Sequence, residues 1–168
     1  MDVEGTFCPK KNDGVGVMKW VAADVEMYQK AAEYVDTVIV PLLPVSFGDD
    51  MKQNASMAEF IGILTSQLEK QFRGRIFLLP DFVYIKENEG SLNALKDWEN
   101  TLLDKQFKHI FYVTSDSRWR QQEKELTGNV LWLPSLSLEH MQEQQKVAIV
   151  DDQVKQLLSL FTEKWEEE

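Results

Sequence analysis

Four short polar clusters hold the side chains of this chain that could do chemistry, and each directly follows an apolar run. Ser46, Phe47, Gly48, Asp49 and Asp50 come after Thr37–Val45, and Asp81 comes after 75–79. Thr114, Ser115, Asp116 and Arg118 follow 109–113, while Ser135 and Ser137 follow 129–133. Hydroxyls, carboxylates and a guanidinium brought to one rim supply the donors and acceptors that a small polar ligand or an anion requires. The candidate ligand-binding set is therefore Ser46, Gly48, Asp81, Thr114, Ser115, Asp116, Arg118 and Ser135. The same residue types cap helices, and a chain that alternates strand and helix places them at the same points.

More demanding chemistries each lack a member. Acidic residues after three runs resemble a magnesium-dependent phosphoacceptor site, but no lysine ends a late strand, and Asp49 and Asp50 sit well past the end of the first. Neither serine-rich turn is a Gly-x-Ser-x-Gly elbow, and His109 opens its strand at the far end from the serines, so a Ser-His-Asp triad has nowhere to assemble. His140, in or before the last helix, reads as solvent-facing. Gly14-Val-Gly16 lacks the third glycine and the preceding strand of a dinucleotide fingerprint, and there is no Walker loop. Cys8 is the single cysteine and no Cys/His spacing suits zinc. The residues thus assign no catalytic group, no metal ligand and no cofactor.

The apolar runs must be the strands that position this rim. Thr37–Val45 is continuous and aliphatic, as a strand covered on both faces requires, with Pro44 expected to stop it. Runs 75–79, 109–113 and 129–133 read likewise, and 81–85 is ambiguous between a loop and a short extra strand. Val25, Tyr28, Ala32 and Val35 recur at helical spacing behind Asp24. After a loop through 45–54, Ser56 and Glu59 have capping-box spacing ahead of Phe60, Ile61, Leu64, Leu68 and Phe72, and Gly74 supplies a left-handed stop. Leu92, Leu95, Trp98 and Leu102 mark a third helix. A polar helix reaching about Leu126, capped by Gly128, lies at an edge. Val150, Val154, Leu157, Leu158, Phe161 and Trp165 define a long amphipathic terminal helix, whose rhythm runs through 147–150 and favours helix there over a fifth strand. This alternation implies a doubly wound α/β fold, flavodoxin-like or Rossmann-like: a three-layer sandwich on a four- or five-stranded, mainly parallel sheet. Ligands in such sheets bind beyond the carboxyl ends of the strands, where strand order reverses.

The 168 residues are enough for one domain, and 43% apolar with 27% charged residues is ordinary for a globular chain. A net charge of -10 argues against tracking a phosphate backbone, so no nucleic-acid partner is expected. The lone cysteine fits a reducing, cytoplasmic compartment. No apolar run approaches the roughly 20 residues that span a bilayer, and no signal peptide is visible. Residues 1–17 are turn formers without periodicity and read as a disordered extension, with the α/β domain occupying 18–168. Trp98 and Trp132 read as core. Trp119, between Arg118 and Arg120 on a polar helix, is the aromatic expected to meet a protein partner. Trp165 closes the terminal stripe, which covers a sheet face or forms a homodimer seam.

Met18-Lys-Trp20, Asp24, Tyr28, Glu33-Tyr-Val-Asp-Thr37 and Ile39-Val-Pro-Leu42 together resemble the opening motif of the YpiF-like family. These are small cytosolic proteins of Bacillus-type bacteria built on a domain of unknown function. The resemblance implies a usual start at Met18, from which the 17 preceding residues depart, and it brings no activity, catalytic residue or cofactor. Members resemble gene neighbours of the menaquinol:cytochrome c reductase operon, which implies a role near that complex. The function expected is that of a non-enzymatic binding or regulatory protein. Two alternatives stay open: an enzyme acting on a nucleotide, sugar or phosphate through Asp81, Asp116 and Arg118, and an assembly protein working through its terminal helix.

Overall fold

Strand β1 (Thr37–Val45) is the axis of the fold in a computed structural model that describes residues 18–167. The expected N-terminal extension lies outside the described residues. Eight of the nine β1 residues are buried, so both rows of its side chains meet a helical layer. On one side β1 pairs with β4 (His109–Thr114), and β4 pairs with β5 (Asn129–Trp132). On the other side it pairs with β2 (Ile76–Leu78) along its first half and with β3 (Phe82–Ile85) along its second. All four pairings are parallel. Within the stretch 81–85, residues Phe82–Ile85 are therefore the fifth strand, and the sheet runs β2/β3, β1, β4, β5.

Pro44 does not stop β1, contrary to the expectation from sequence, and the reason lies in which edge each proline faces. The Leu79 N–H donates to the Ile39 carbonyl at 3.0 Å and the Lys86 N–H to the Val45 carbonyl at 2.9 Å. Odd-numbered residues of β1 thus turn their polar groups toward β2 and β3, and even-numbered ones toward β4. Pro41, which cannot donate, faces the break between β2 and β3 at Leu79–Asp81. Pro44 faces the other edge, past Thr114 where β4 ends. Both prolines fall where the ladder asks for no N–H. The Thr114 hydroxyl donates to the Leu42 carbonyl at 3.1 Å and closes the β4 side.

Helices cover both faces, giving the three layers. Phe60, Ile61, Leu64 and Leu68 of α2 (Met51–Gln71) pack with Val150, Val154, Leu157 and Phe161 of α5 (Glu143–Glu166) over Ile39, Leu43, Phe111 and Val113. On the opposite face α1 (Ala22–Lys30), α3 (Ser91–Asp104) and α4 (Arg118–Gln122) bring Tyr28, Leu95, Trp98 and Trp119 onto Val38, Val40, Leu42 and Tyr112. The terminal helix includes 147–150, as its rhythm favours. Its last turn is clamped to the start of β1. The Trp165 indole donates to Thr37 Oγ1 at 2.9 Å, and Arg75 lies 3.9 Å over its ring while pairing with Asp36 at 3.2 Å.

Two local expectations from sequence give way. Helix α2 starts at Met51, not at the Ser56–Glu59 box, because Met-Lys-Gln-Asn-Ala is itself a good helix-forming run once Asp50 ends the loop. Gly128 does not act through a left-handed cap; a Cβ there would lie 2.7 Å from Tyr112 Cε2 and 2.9 Å from the Ile110 carbonyl. Its N–H donates to Glu99, whose buried carboxylate also accepts from the Tyr112 hydroxyl at 2.6 Å. Gly74, by contrast, does adopt the left-handed conformation, with φ of 85°.

Gly128→Ala should lower the urea midpoint by an overpacking cost of about 1–3 kcal/mol. Gly62→Ala, inside α2 with open space where its Cβ would stand, should raise stability by about 0.5–1 kcal/mol. Equal effects at the two sites in urea denaturation would refute this account of the β4–β5 contact.

Candidate functional site

Because β2 and β3 lie on one side of β1 and β4 and β5 on the other, the strand order reverses between β1 and β4. The loops leaving those two strands diverge and leave a crevice beyond their carboxyl ends. Its volume is about 520 Å³. Gln53 and Met57 of α2 form one wall, Lys86 after β3 and the 115–118 turn after β4 form the next, and Trp132, Pro134 and Ser135 close the third.

Two ion pairs organise the rim. Asp116, 5% exposed, accepts from the Tyr84 hydroxyl at 2.7 Å and from Arg118 Nη2 at 3.1 Å. The Tyr84 hydroxyl in turn accepts from the Trp119 indole at 2.8 Å. The turn fixes its own shape: the Asp116 N–H donates to Thr114 Oγ1 at 3.0 Å, and the Arg118 N–H donates to Asp116 Oδ1 at 3.1 Å. The second pair is Lys86 with Asp50, at 2.6 Å. Asp50 also accepts from the Ser46 hydroxyl, which accepts from Asn54 at 2.6 Å. Arg118 Nη1 donates to the Lys86 carbonyl and joins the two pairs into one network.

These contacts set the charge states. The hydrogen bonds from Lys86 and Ser46 bring the Asp50 carboxyl down to about 2. Burial alone would raise the Asp116 carboxyl, but the bonds from Arg118 and Tyr84 outweigh it and hold it below the ordinary carboxylate value. Burial, with the Asp116 hydrogen bond, pushes the Tyr84 phenol well above its usual range. Both carboxylates are thus ionised and paired near neutral pH, and the phenol keeps its proton. The site offers fixed charges and hydrogen-bond donors.

Of the eight candidate ligand residues, the structure brings Ser115, Asp116, Arg118 and Ser135 to the crevice. Ser46 is buried behind it and reaches it through Asp50 and Lys86. Thr114 is buried and occupied by backbone groups of Leu42 and Asp116. Gly48 is exposed on the loop before α2 and does not line the crevice. Asp81 lies at the break between β2 and β3, halfway along the sheet edge, because β2 spans only the first half of β1. Trp119 is 2% exposed and packs edge-on against Tyr84 at 5.3 Å, so its ring is turned inward onto the sheet. Trp165 is half-buried against Phe72, Phe161 and Arg75 at the opposite end of the sheet.

Sequence reasoning missed Lys86, Tyr84 and Trp132. Phe82 and Tyr84 point inward while Val83 and Ile85 point out, and that alternation was the available signal. As a strand, 82–85 puts Lys86 at a strand end, contrary to the expectation that no lysine stands there. Trp132 is half-buried on the crevice wall instead of in the core, with its indole N–H donating to the Ser115 carbonyl at 3.1 Å. Among the described residues, no group of three or more His, Cys, Asp and Glu side chains is placed to hold a metal ion. Among them too, no helix is long and apolar enough to cross a membrane.

The fold is thus an α/β protein with helices on a five-stranded parallel sheet, and a polar crevice opens at its topological switch point. The chain belongs to the protein family of unknown function DUF2487, whose model matches residues 26–165. It is similar to the uncharacterized protein YpiF of Bacillus subtilis (strain 168), with 32% identity over 148 residues, 88% of this chain and 98% of that protein. No solved structure matches it.

A carboxylate depressed in the folded state stabilises fully above its unfolded value near 3.9 and loses that contribution as pH falls through the folded value. Asp50→Asn should therefore lower the Tm at pH 6 and flatten the fall in Tm between about pH 4 and pH 2 relative to the parent chain. Thermal melts across that range decide it, and parallel curves would refute the pairing. Tyr84→Phe leaves the Trp119 indole without an acceptor and Asp116 without one donor. In urea denaturation it should cost about 1–3 kcal/mol.

Proposed function

We propose that this protein is a non-enzymatic binding protein, regulatory or accessory in role, that takes a small polar ligand in the crevice at the strand switch point. The observation that carries the reading is the state of the rim: each cation is held in place by its own carboxylate, yet both line an open cavity of a size that suits a small molecule. Such groups recognise a ligand without reorganising. General acid–base work needs a group that titrates near the working pH, and the paired Asp50 and Asp116 and the protonated Tyr84 all lie far from it. The enzyme reading is further weakened by the position of Asp81 away from the crevice. The assembly reading has less support than binding, since Val150, Val154, Leu157 and Phe161 of α5 are covered by this chain's own sheet.

A ligand that binds only the native state raises its melting temperature by mass action, by about 2.7 kcal/mol of stability at a hundred times Kd. Thermal melts of the full chain with nucleotides, sugar phosphates, amino acids and aromatic acids should yield a hit. Ser135→Trp, which fills the crevice mouth, should abolish it. No hit across the set, or a hit that Ser135→Trp leaves intact, would overturn the reading, as would turnover of a bound probe.

A further inference from the structure

The two sides of the crevice differ in chemistry, and together they describe a ligand more narrowly. This step rests on the binding reading above.

On one side stand Lys86 and Arg118. Arg118 carries five N–H donors and Lys86 three. Among the described residues, Asp116 and the Lys86 carbonyl take three of the arginine donors, through Nε, Nη2 and Nη1, and Asp50 takes one from the lysine. Two donors on each head are left for a ligand. The formal charges of Lys86, Arg118, Asp50 and Asp116 cancel, in a chain of net charge -10. Donors in a neutral cluster suit a monoanion such as a carboxylate. A phosphate dianion would leave excess negative charge in an already acidic protein.

On the other side the Trp132 ring is held rigid. Its N–H is bonded to the Ser115 carbonyl, and the Arg120 guanidinium lies 4.8 Å from the ring centroid. Trp132 lines the crevice and Arg120 does not. Met57 and Pro134 extend that apolar surface. Between the two sides lies Ser115, 5% exposed, whose hydroxyl has no hydrogen-bond partner among the described residues. A buried hydroxyl without a partner is costly.

We infer that the crevice binds a planar aromatic monocarboxylate, with its acid group between Lys86 and Arg118 and its ring on Trp132. The ring contact and the charge-assisted bonds each contribute on the order of tenfold in affinity.

The test uses the full chain, labelled for the indole N–H resonances, with the Trp132 signal assigned by its loss in Trp132→Phe. Three probes separate the parts: indole-3-acetate carries ring and charge, indole-3-acetamide the ring alone, and acetate the charge alone. Indole-3-acetate should shift the Trp132 signal and bind at least tenfold more tightly than either of the others. Lys86→Met should bring the acid down to the affinity of the amide while leaving the amide unchanged. Equal binding of acid and amide, or acid binding that leaves the Trp132 signal unmoved, overturns the inference. Glucose 6-phosphate, run alongside, tells the two readings apart. If it alone shifts the Trp132 signal, the aromatic acid is wrong and the crevice stands as a binding site; silence from all four probes overturns the aromatic acid, and the wider melting screen then decides the crevice.

Discussion

A central parallel strand must satisfy its backbone on two edges and bury its side chains on two faces, and almost everything in this fold follows from β1 meeting that demand with two prolines in it. Each proline removes a donor from one edge, and the neighbouring strands are cut to fit. One edge is shared by two short strands separated at Leu79–Asp81, opposite Pro41. The other ends at Thr114 before it reaches Pro44, and the Thr114 hydroxyl takes over from a backbone donor. The break on the first edge carries β3 up to the rim. That is how Lys86 comes to stand beside Asp50, 36 residues away in the chain.

The rim shows how stability and recognition share residues. Asp116 is buried and would be costly as an isolated charge, so it is enclosed by Arg118, Tyr84 and its own turn. That enclosure also aims the guanidinium. Removing one member does more than delete a contact, because it leaves a charge or an indole N–H without a partner in a place water reaches poorly. At the other end of the sheet, Trp165, Thr37, Arg75 and Asp36 tie the last turn of α5 to the foot of β1, far from the crevice. The two ends are therefore separately braced.

Much of this was legible from residue order. Continuous aliphatic runs marked the buried strands, helical spacing marked α3 and α5, and alternation gave a parallel sheet with helices on both faces. The polar clusters after the strands pointed to the rim, and Ser115, Asp116, Arg118 and Ser135 do meet there. Where the reading missed, a local rule yielded to a tertiary one. Ser56–Glu59 has the spacing of a cap, but a helix begins wherever the chain leaves the preceding strand with helix formers in hand. Trp119 sits between two arginines and looks exposed, yet a five-residue helix packed on the sheet turns it inward. Asp81 follows a strand, but that strand ends halfway along its neighbour.

By itself the sequence determined what depends on near neighbours: strand and helix identity, the parallel alternation, and the delivery of hydroxyls and carboxylates to strand ends, since side-chain period and turn chemistry are written over a few residues. Only the tertiary structure decided which loops share the crevice, that Lys86 and Trp132 join it while Gly48 and Asp81 do not, and that Asp50 and Asp116 are already paired. Those outcomes depend on strand order and on where each strand stops against its neighbour, and contacts between residues dozens of positions apart leave no periodic trace in a single chain.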